Sequence, residues 1–324
     1  MGKPVIVVSI NYRLSGWGFL ASKEVVKEGS TNAGLYDQRL ALQWVHENIH
    51  AFGGDPRKVT IWGESAGAVS VGYHTVAFNG RNNDLFRAAI MESGNPLGAP
   101  IPGIHELETY GLQGWYDAAV NATSCHNANN TLECLRRAPF EALNQTFAEN
   151  YAWLPILDGE FLTKLPSDSH KQGHAVDIAL LIGTTTDEGT IDGITPRGTL
   201  HHDGDIRDWL GRFRPNLSQK QIHELMQLYP DDPAQGSPFN TGSKRYLKAG
   251  LQYKRGAAIA GDLFFIAGRR GTTKYYAMRS NITKNPLYSY RFDQAPWAGI
   301  LEDVAVQEPV GVAHYTDVSL NLLI

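Results

Sequence analysis

The sequence predicts an α/β fold: a mostly parallel central sheet with helices on both faces. Three observations carry that expectation. Residues 5–10 read "VIVVSI", a continuous β-branched run of the kind found in strands buried on both faces. Short apolar runs recur at Val59 to Trp62, about Ala88 to Met91, and Asp177 to Gly183. Segments with helical spacing separate the earlier runs, and strand–helix–strand alternation is the pattern of a parallel sheet.

Taken in order, the first predicted helix runs from about Leu35 to Ile49. Leu35, Leu42, Val45 and Ile49 fall on one helical face, and Gly53, Gly54 and Pro56 end the pattern. The strand at Val59 to Trp62 follows, then a helix from Ala66 to Val76, then the strand in "RAAIMESG". From about Pro96 to Trp153 the pattern breaks into polar and helical pieces, read as an excursion above the sheet. "DIALLIG" restores a strand, residues 190–260 read as helix and loop, and "LYSYRF" (Leu287 to Phe292) is a late strand with alternating character. A single domain over residues 1–324 is expected, incomplete at both termini. The chain enters an apolar strand almost at once and ends abruptly on "VSLNLLI".

Composition excludes several function classes. The net charge is −4, with no basic run and no zinc-like Cys/His spacing, which gives little footing for nucleic-acid binding. No cofactor and no metal are expected. No stretch of 18 apolar residues exists, so no membrane-spanning segment is expected, and the N-terminus shows no signal peptide. Cys125 and Cys134 bracket a polar, turn-rich stretch, which suits a small disulfide loop or, equally on spacing, two free thiols. Asn-x-Ser/Thr sequons occur at Asn121, Asn129, Asn144, Asn216 and Asn281. They tilt the balance towards the disulfide and an extracellular, glycosylated protein whose signal would belong to a missing N-terminus.

The chemistry concentrates in "VTIWGESAGAVS", residues 59–70. Gly63-Glu64-Ser65-Ala66-Gly67 is a Gly-x-Ser-x-Gly motif between a predicted strand and a predicted helix, the setting a nucleophile elbow needs. A tight turn would give Gly63 and Gly67 a steric reason and hold Ser65 strained, with its hydroxyl exposed. The Ala66 N–H at the helix start would serve as one oxyanion donor. A serine needs a base. Of eleven histidines, His46 and His74 lie on helices beside the motif, and His201 and His202 lie in a polar loop with Asp203 and Asp205. His314 in "GVAHYTD" follows the late strand, where the order Ser, acid, His puts it. The acid falls in "GTTTDEGT", at the end of a strand on the site side of an open sheet, and spacing leaves Asp187 and Glu188 tied.

These stretches resemble the type-B carboxylesterase/lipase family, which includes cholinesterases and fungal extracellular lipases. The resemblance rests on "SINYRLSGWGFL", "NAGLYDQRLALQWVHENIHAFGGDPRKVTIWGESAGAVS", "ESG", "PILDGEFL", "IGTTTDEGT", "GDLFF" and "GVAHYTDV", in family order. It implies an α/β-hydrolase fold and ester hydrolysis through an acyl-enzyme, with Ser65 as nucleophile, His314 as base and Glu188 as acid. It makes Asp187 a structural neighbour and Ser93 a residue near the acid. Arg13 and Asp37 become an ion pair tying the first strand to its helix. The Cys125 loop resembles the second disulfide loop of the fungal lipases.

Two departures from the family pattern matter. The family's upstream Gly-Gly, which completes the oxyanion hole, is not contained in this sequence, and Asp317 stands where the family usually has Glu. The expectation is therefore a lipase or short-chain esterase site acting on a small or lipid ester, with this chain weak or inactive. The rivals are a non-catalytic cholinesterase-like binding protein and a non-functional truncated product. Spacing does not select the acyl-pocket residues or the oligomeric state.

Overall fold

The structure is a computed structural model and describes residues 4–149, 153–191, 194–283, 285–295 and 310–318, with side chains up to residue 279 in the last helix. In chain order the elements are α1 (Ser15–Phe19), α2 (Lys23–Glu28), α3 (Ala33–Asn48), β1 (Thr60–Glu64), α4 (Ala66–Gly80) and β2 (Ala88–Glu92). They continue as α5 (Leu112–Ala122), α6 (Thr131–Arg137), α7 (Phe140–Ala148), α8 (Pro166–Lys171) and β3 (Ala179–Thr185). Last come α9 (Asp203–Phe213), α10 (Gln219–Leu228), α11 (Tyr253–Gly261), α12 (Ala267–Thr283) and β4 (Leu287–Phe292). They form two compact units, each assembled from three stretches of chain.

The second unit (60–73, 88–99 and 177–324) holds the whole described sheet. Its four strands are parallel, in the order β1-β2-β3-β4. The inner strands are the most apolar: Ala89, Met91, Leu180 and Ile182 are each at most 1% exposed. Met91, Leu180 and Ile182 each contribute about 1.5–3 kcal/mol by leaving water. The outer strands alternate, so Ile61 is buried while its neighbour Trp62 is not. α12 packs on β3 and β4, and a π-helical turn, Asp262–Ile266, joins it to α11. A core of Leu200, Ile206, Leu210, Ile222, Ile259 and Ala260 lies beneath α9, α10 and α11.

The first unit (1–59, 74–87 and 100–176) is helical. α3 covers the predicted Leu35 helix and stops in a turn closed by Gly53 at φ +80°, a conformation that favours glycine. The segment read as an excursion supplies α5, α6 and α7. They pack Tyr116, Val120, Leu135, Leu143 and Phe147 around Cys125. Cys125 and Cys134 are bonded as a disulfide.

One expectation fails in this unit, and a second holds only in part. "VIVVSI" is not a strand, because no described residue pairs with it: Val5 and Val7 are 81% and 80% exposed. A β-branched run has strand propensity, but only a neighbouring backbone makes it a strand. Arg13 does grip Asp37, through Nε and an Nη at 2.7 Å each, but the pair ties α3 to the stretch before α1 and is not buried. Open to water, it contributes at most about 1 kcal/mol.

Candidate active site

Every residue of the candidate site belongs to the sheet-bearing unit. β1 ends at Glu64 and α4 begins at Ala66, so Ser65 makes the whole turn between them. Its φ is +52°, a left-handed conformation that costs a non-glycine residue energy. The Ser65 N–H donates to the carbonyl of Glu92 at 2.9 Å, which pins the turn to the end of β2. A Cβ on Gly63 would lie 2.4 Å from the carbonyl carbon of Gly67, so no side chain fits there. The expectation for Gly67 fails: a Cβ there would meet nothing within 4 Å. Its backbone, rather than its missing side chain, is what Gly63 needs close. A third glycine, outside the Gly-x-Ser-x-Gly motif, is also required. A Cβ on Gly94 would sit 2.4 Å from the Ser65 carbonyl oxygen. Its position directly after Ser93 in "ESG" was the available signal.

Three residues far apart in sequence meet here. Ser65 Oγ lies 2.7 Å from His314 Nε2, and His314 Nδ1 lies 2.6 Å from Glu188 Oε2. Glu188 sits in the turn after β3 and is 1% exposed, and its Oε1 accepts the Thr185 N–H at 2.8 Å. A buried carboxylate only accepts hydrogen bonds, so Nδ1 carries the proton of the neutral imidazole and Nε2 accepts from the serine hydroxyl. Phe265, in the π-helical turn, packs its ring 4.7 Å from the His314 ring. Burial disfavours the charged imidazole. The Glu188 hydrogen bond and the charges of Glu188, Glu64 and Asp317 outweigh that and raise its pKa above the ordinary histidine value.

The electrostatic surroundings were not legible in sequence. Glu64, identified only as an elbow residue, places Oε1 at 3.3 Å from His314 Nε2. Burial pushes its carboxyl up to about 7; His314 opposes the shift, and Asp317, Glu188 and Glu92 reinforce it. Asp317 is 2% exposed and accepts the Tyr290 hydroxyl at 3.0 Å.

The remaining candidates fall elsewhere. Asp187 faces away from the Ser65–His314–Glu188 relay, into hydrogen bonds with Ser237, Phe239 and Val312. Ser93 is fully buried at φ +48°, and its Oγ has no partner among the described residues. His74 is buried in the helical unit against Gln38 at 3.0 Å. His46 lies on α3, also in that unit. His201 and His202 precede α9, and their backbone N–H groups both donate to Asp205 at 2.8 Å. Asn121, Asn129, Asn144 and Asn216 are exposed, while the side chain of Asn281 lies outside the described residues. No described helix is long and apolar enough to cross a membrane.

A parallel sheet with a strained serine at a strand–helix turn, meeting a histidine and a buried glutamate, is the architecture of α/β-hydrolases. The sequence model of the carboxylesterase family matches residues 1–323, and the chain belongs to that family. It is 39% identical to Lipase 4 of Diutina rugosa, in an alignment covering 99% of this chain and 61% of that protein. It is 36% identical to the secreted triacylglycerol lipase LIP1 of Gibberella zeae, over 83% of this chain and 47% of that protein. The crystal structure of Aspergillus niger EstA superposes with a TM-score of 0.77 at 28% identity, covering 95% of this chain and 56% of that one. The fold is thus the α/β-hydrolase fold. The chain spans about half to three-fifths of the length of the relatives it matches.

Proposed function

We propose that the protein is a carboxylic ester hydrolase working by two-step acyl transfer, with Ser65 as nucleophile, His314 as general base and Glu188 as the acid that orients it. The observation that carries this reading is the continuous relay from Ser65 Oγ through both ring nitrogens of His314 to Glu188. As Oγ attacks the ester carbonyl, Nε2 takes its proton, and Glu188 stabilises the imidazolium that forms. Negative charge grows on the carbonyl oxygen beside the start of α4, where the Ala66 N–H and the positive end of the helix favour it. The imidazolium then protonates the departing alcohol and leaves an acyl-Ser65. Water attacks that ester with His314 again as base, which releases the acid and restores Ser65.

The lipase names of the relatives support acyl esters as the substrate class, triacylglycerols among them, and the word "secreted" supports an extracellular setting. The four exposed sequons and the disulfide fit that setting. The test is hydrolysis of p-nitrophenyl butyrate, together with covalent labelling by a fluorophosphonate. Both should be lost in Ser65→Ala. Equal hydrolysis by parent and variant overturns Ser65 as the nucleophile.

A further inference from the structure

We propose that Asp187 is the positioning residue of the histidine loop: its carboxylate holds residues 311–313 so that His314 meets Glu188. The inference rests on the reading of His314 as the base and adds a residue to it. Asp187 is 4% exposed and directly precedes Glu188. Its Oδ1 accepts from Ser237 Oγ and from the Phe239 N–H, both at 2.8 Å. Its Oδ2 accepts the Val312 N–H at 2.9 Å. Its own N–H donates to the Val312 carbonyl at 2.9 Å, and Asp187 pairs with Ala313 in a short parallel bridge. The stretch carrying the acid and the stretch carrying the histidine are therefore joined by two hydrogen bonds at Asp187–Val312, and again at Glu188–His314.

The fit on the loop side is close. Gly311 has φ +66°, and a Cβ there would fall 2.2 Å from Asp187 Oδ2. The glycine serves both the turn and the approach of the carboxylate. Three donors converge on two oxygens, and only a carboxylate presents acceptors on both sides. Asparagine keeps the shape but must turn its NH2 towards either the Val312 N–H or the Phe239 N–H, so one of these donors loses its acceptor and the anchor of the loop is weakened. An error of the order of 1 Å at a catalytic group costs up to about 100-fold in rate.

The experiment compares the parent chain, Asp187→Asn and Ser237→Ala by 15N-histidine NMR and ester turnover. In the parent, the His314 Nδ1 proton should give a low-field signal and the Val312 amide should be protected from exchange. Asp187→Asn should lose or shift that signal, move the His314 titration towards the ordinary value, and lower kcat/KM by about 10- to 100-fold. Ser237→Ala leaves the Val312 contact in place and should keep the signal. An Asp187→Asn variant with a lowered Tm but an unchanged His314 signal, titration and kcat/KM overturns the proposal. So does a Val312 amide in the parent that exchanges freely while the His314 signal persists, a measurement that needs no variant to fold. Ester turnover surviving in Ser65→Ala would instead defeat the catalytic reading and leave the NMR results standing.

Discussion

Glu64 Oε1 lies 3.3 Å from His314 Nε2, the nitrogen that also meets Ser65 Oγ at 2.7 Å. Glu64 ionises only around pH 7, and in its ionised form it favours the imidazolium and so raises the pH at which His314 becomes free, an effect that fades as Glu64 itself is protonated. Removing its charge in Glu64→Gln should lower the His314 pKa. The acid limb of the kcat/KM profile should then move to lower pH, because the neutral base persists further into acid. An unmoved limb, or one displaced upward, would contradict this role for Glu64.

Glu188→Gln keeps the shape beside Nδ1 but removes the charge that stabilises the imidazolium. The Thr185 N–H, which now donates to Oε1, would compete for the one remaining oxygen. The expected loss in kcat is on the order of 10⁴-fold, by analogy with the corresponding change in serine proteases. Pre-steady-state kinetics should show acylation and deacylation both slowed, because His314 is the base in each step. Activity within tenfold of the parent would show that the acid lies elsewhere.

The two elbow glycines should respond in opposite ways. Gly63→Ala forces a methyl group against the backbone of Gly67 and Ala68 and should cost roughly 1–3 kcal/mol or more. Gly67→Ala enters open space in the first turn of a helix and should be neutral or stabilising by up to about 1 kcal/mol. Thermal denaturation of both variants decides it, and equal losses would mean that the turn is built differently.

His74 offers a test independent of catalysis. Burial, assisted by the Arg39 charge, depresses its pKa to about 3. The folded protein therefore holds it neutral, while the unfolded chain takes up a proton below the ordinary histidine value. The stability contributed is present above about pH 6.5 and falls as pH drops towards 3, by at most about 1.4 kcal/mol per pH unit. A His74 ring that titrates near 6.5 by NMR would refute the assignment.

Much of this was legible in sequence because it is local. The strands at Ala88, Asp177 and Leu287 announce themselves by apolar runs with short-range punctuation. Ser65 announces itself by a motif whose glycine at 63 has a steric cause within five residues. Other features were not legible. Asp187 and Glu188 are adjacent carboxylates at one strand end, and spacing cannot say which faces histidine. Val5 to Ile10 carries the composition of a buried strand but finds no pairing partner among the described residues. Glu64 reads as a filler position in a five-residue motif.

By itself the sequence determined the alternation of strands and helices, the glycine that makes the elbow possible and the order of serine, acid and histidine. Each of these follows from contacts within a few residues or from chain direction. Spacing left the two carboxylates tied and the family resemblance pointed to Glu188; tertiary structure alone showed that Glu64 crowds the same nitrogen and that Asp187 turns to the loop. The physical reason is distance along the chain: 249 residues separate Ser65 from His314 and 126 separate His314 from Glu188. Only the packing of parallel strands, with their ends on one side, brings such groups within hydrogen-bond reach.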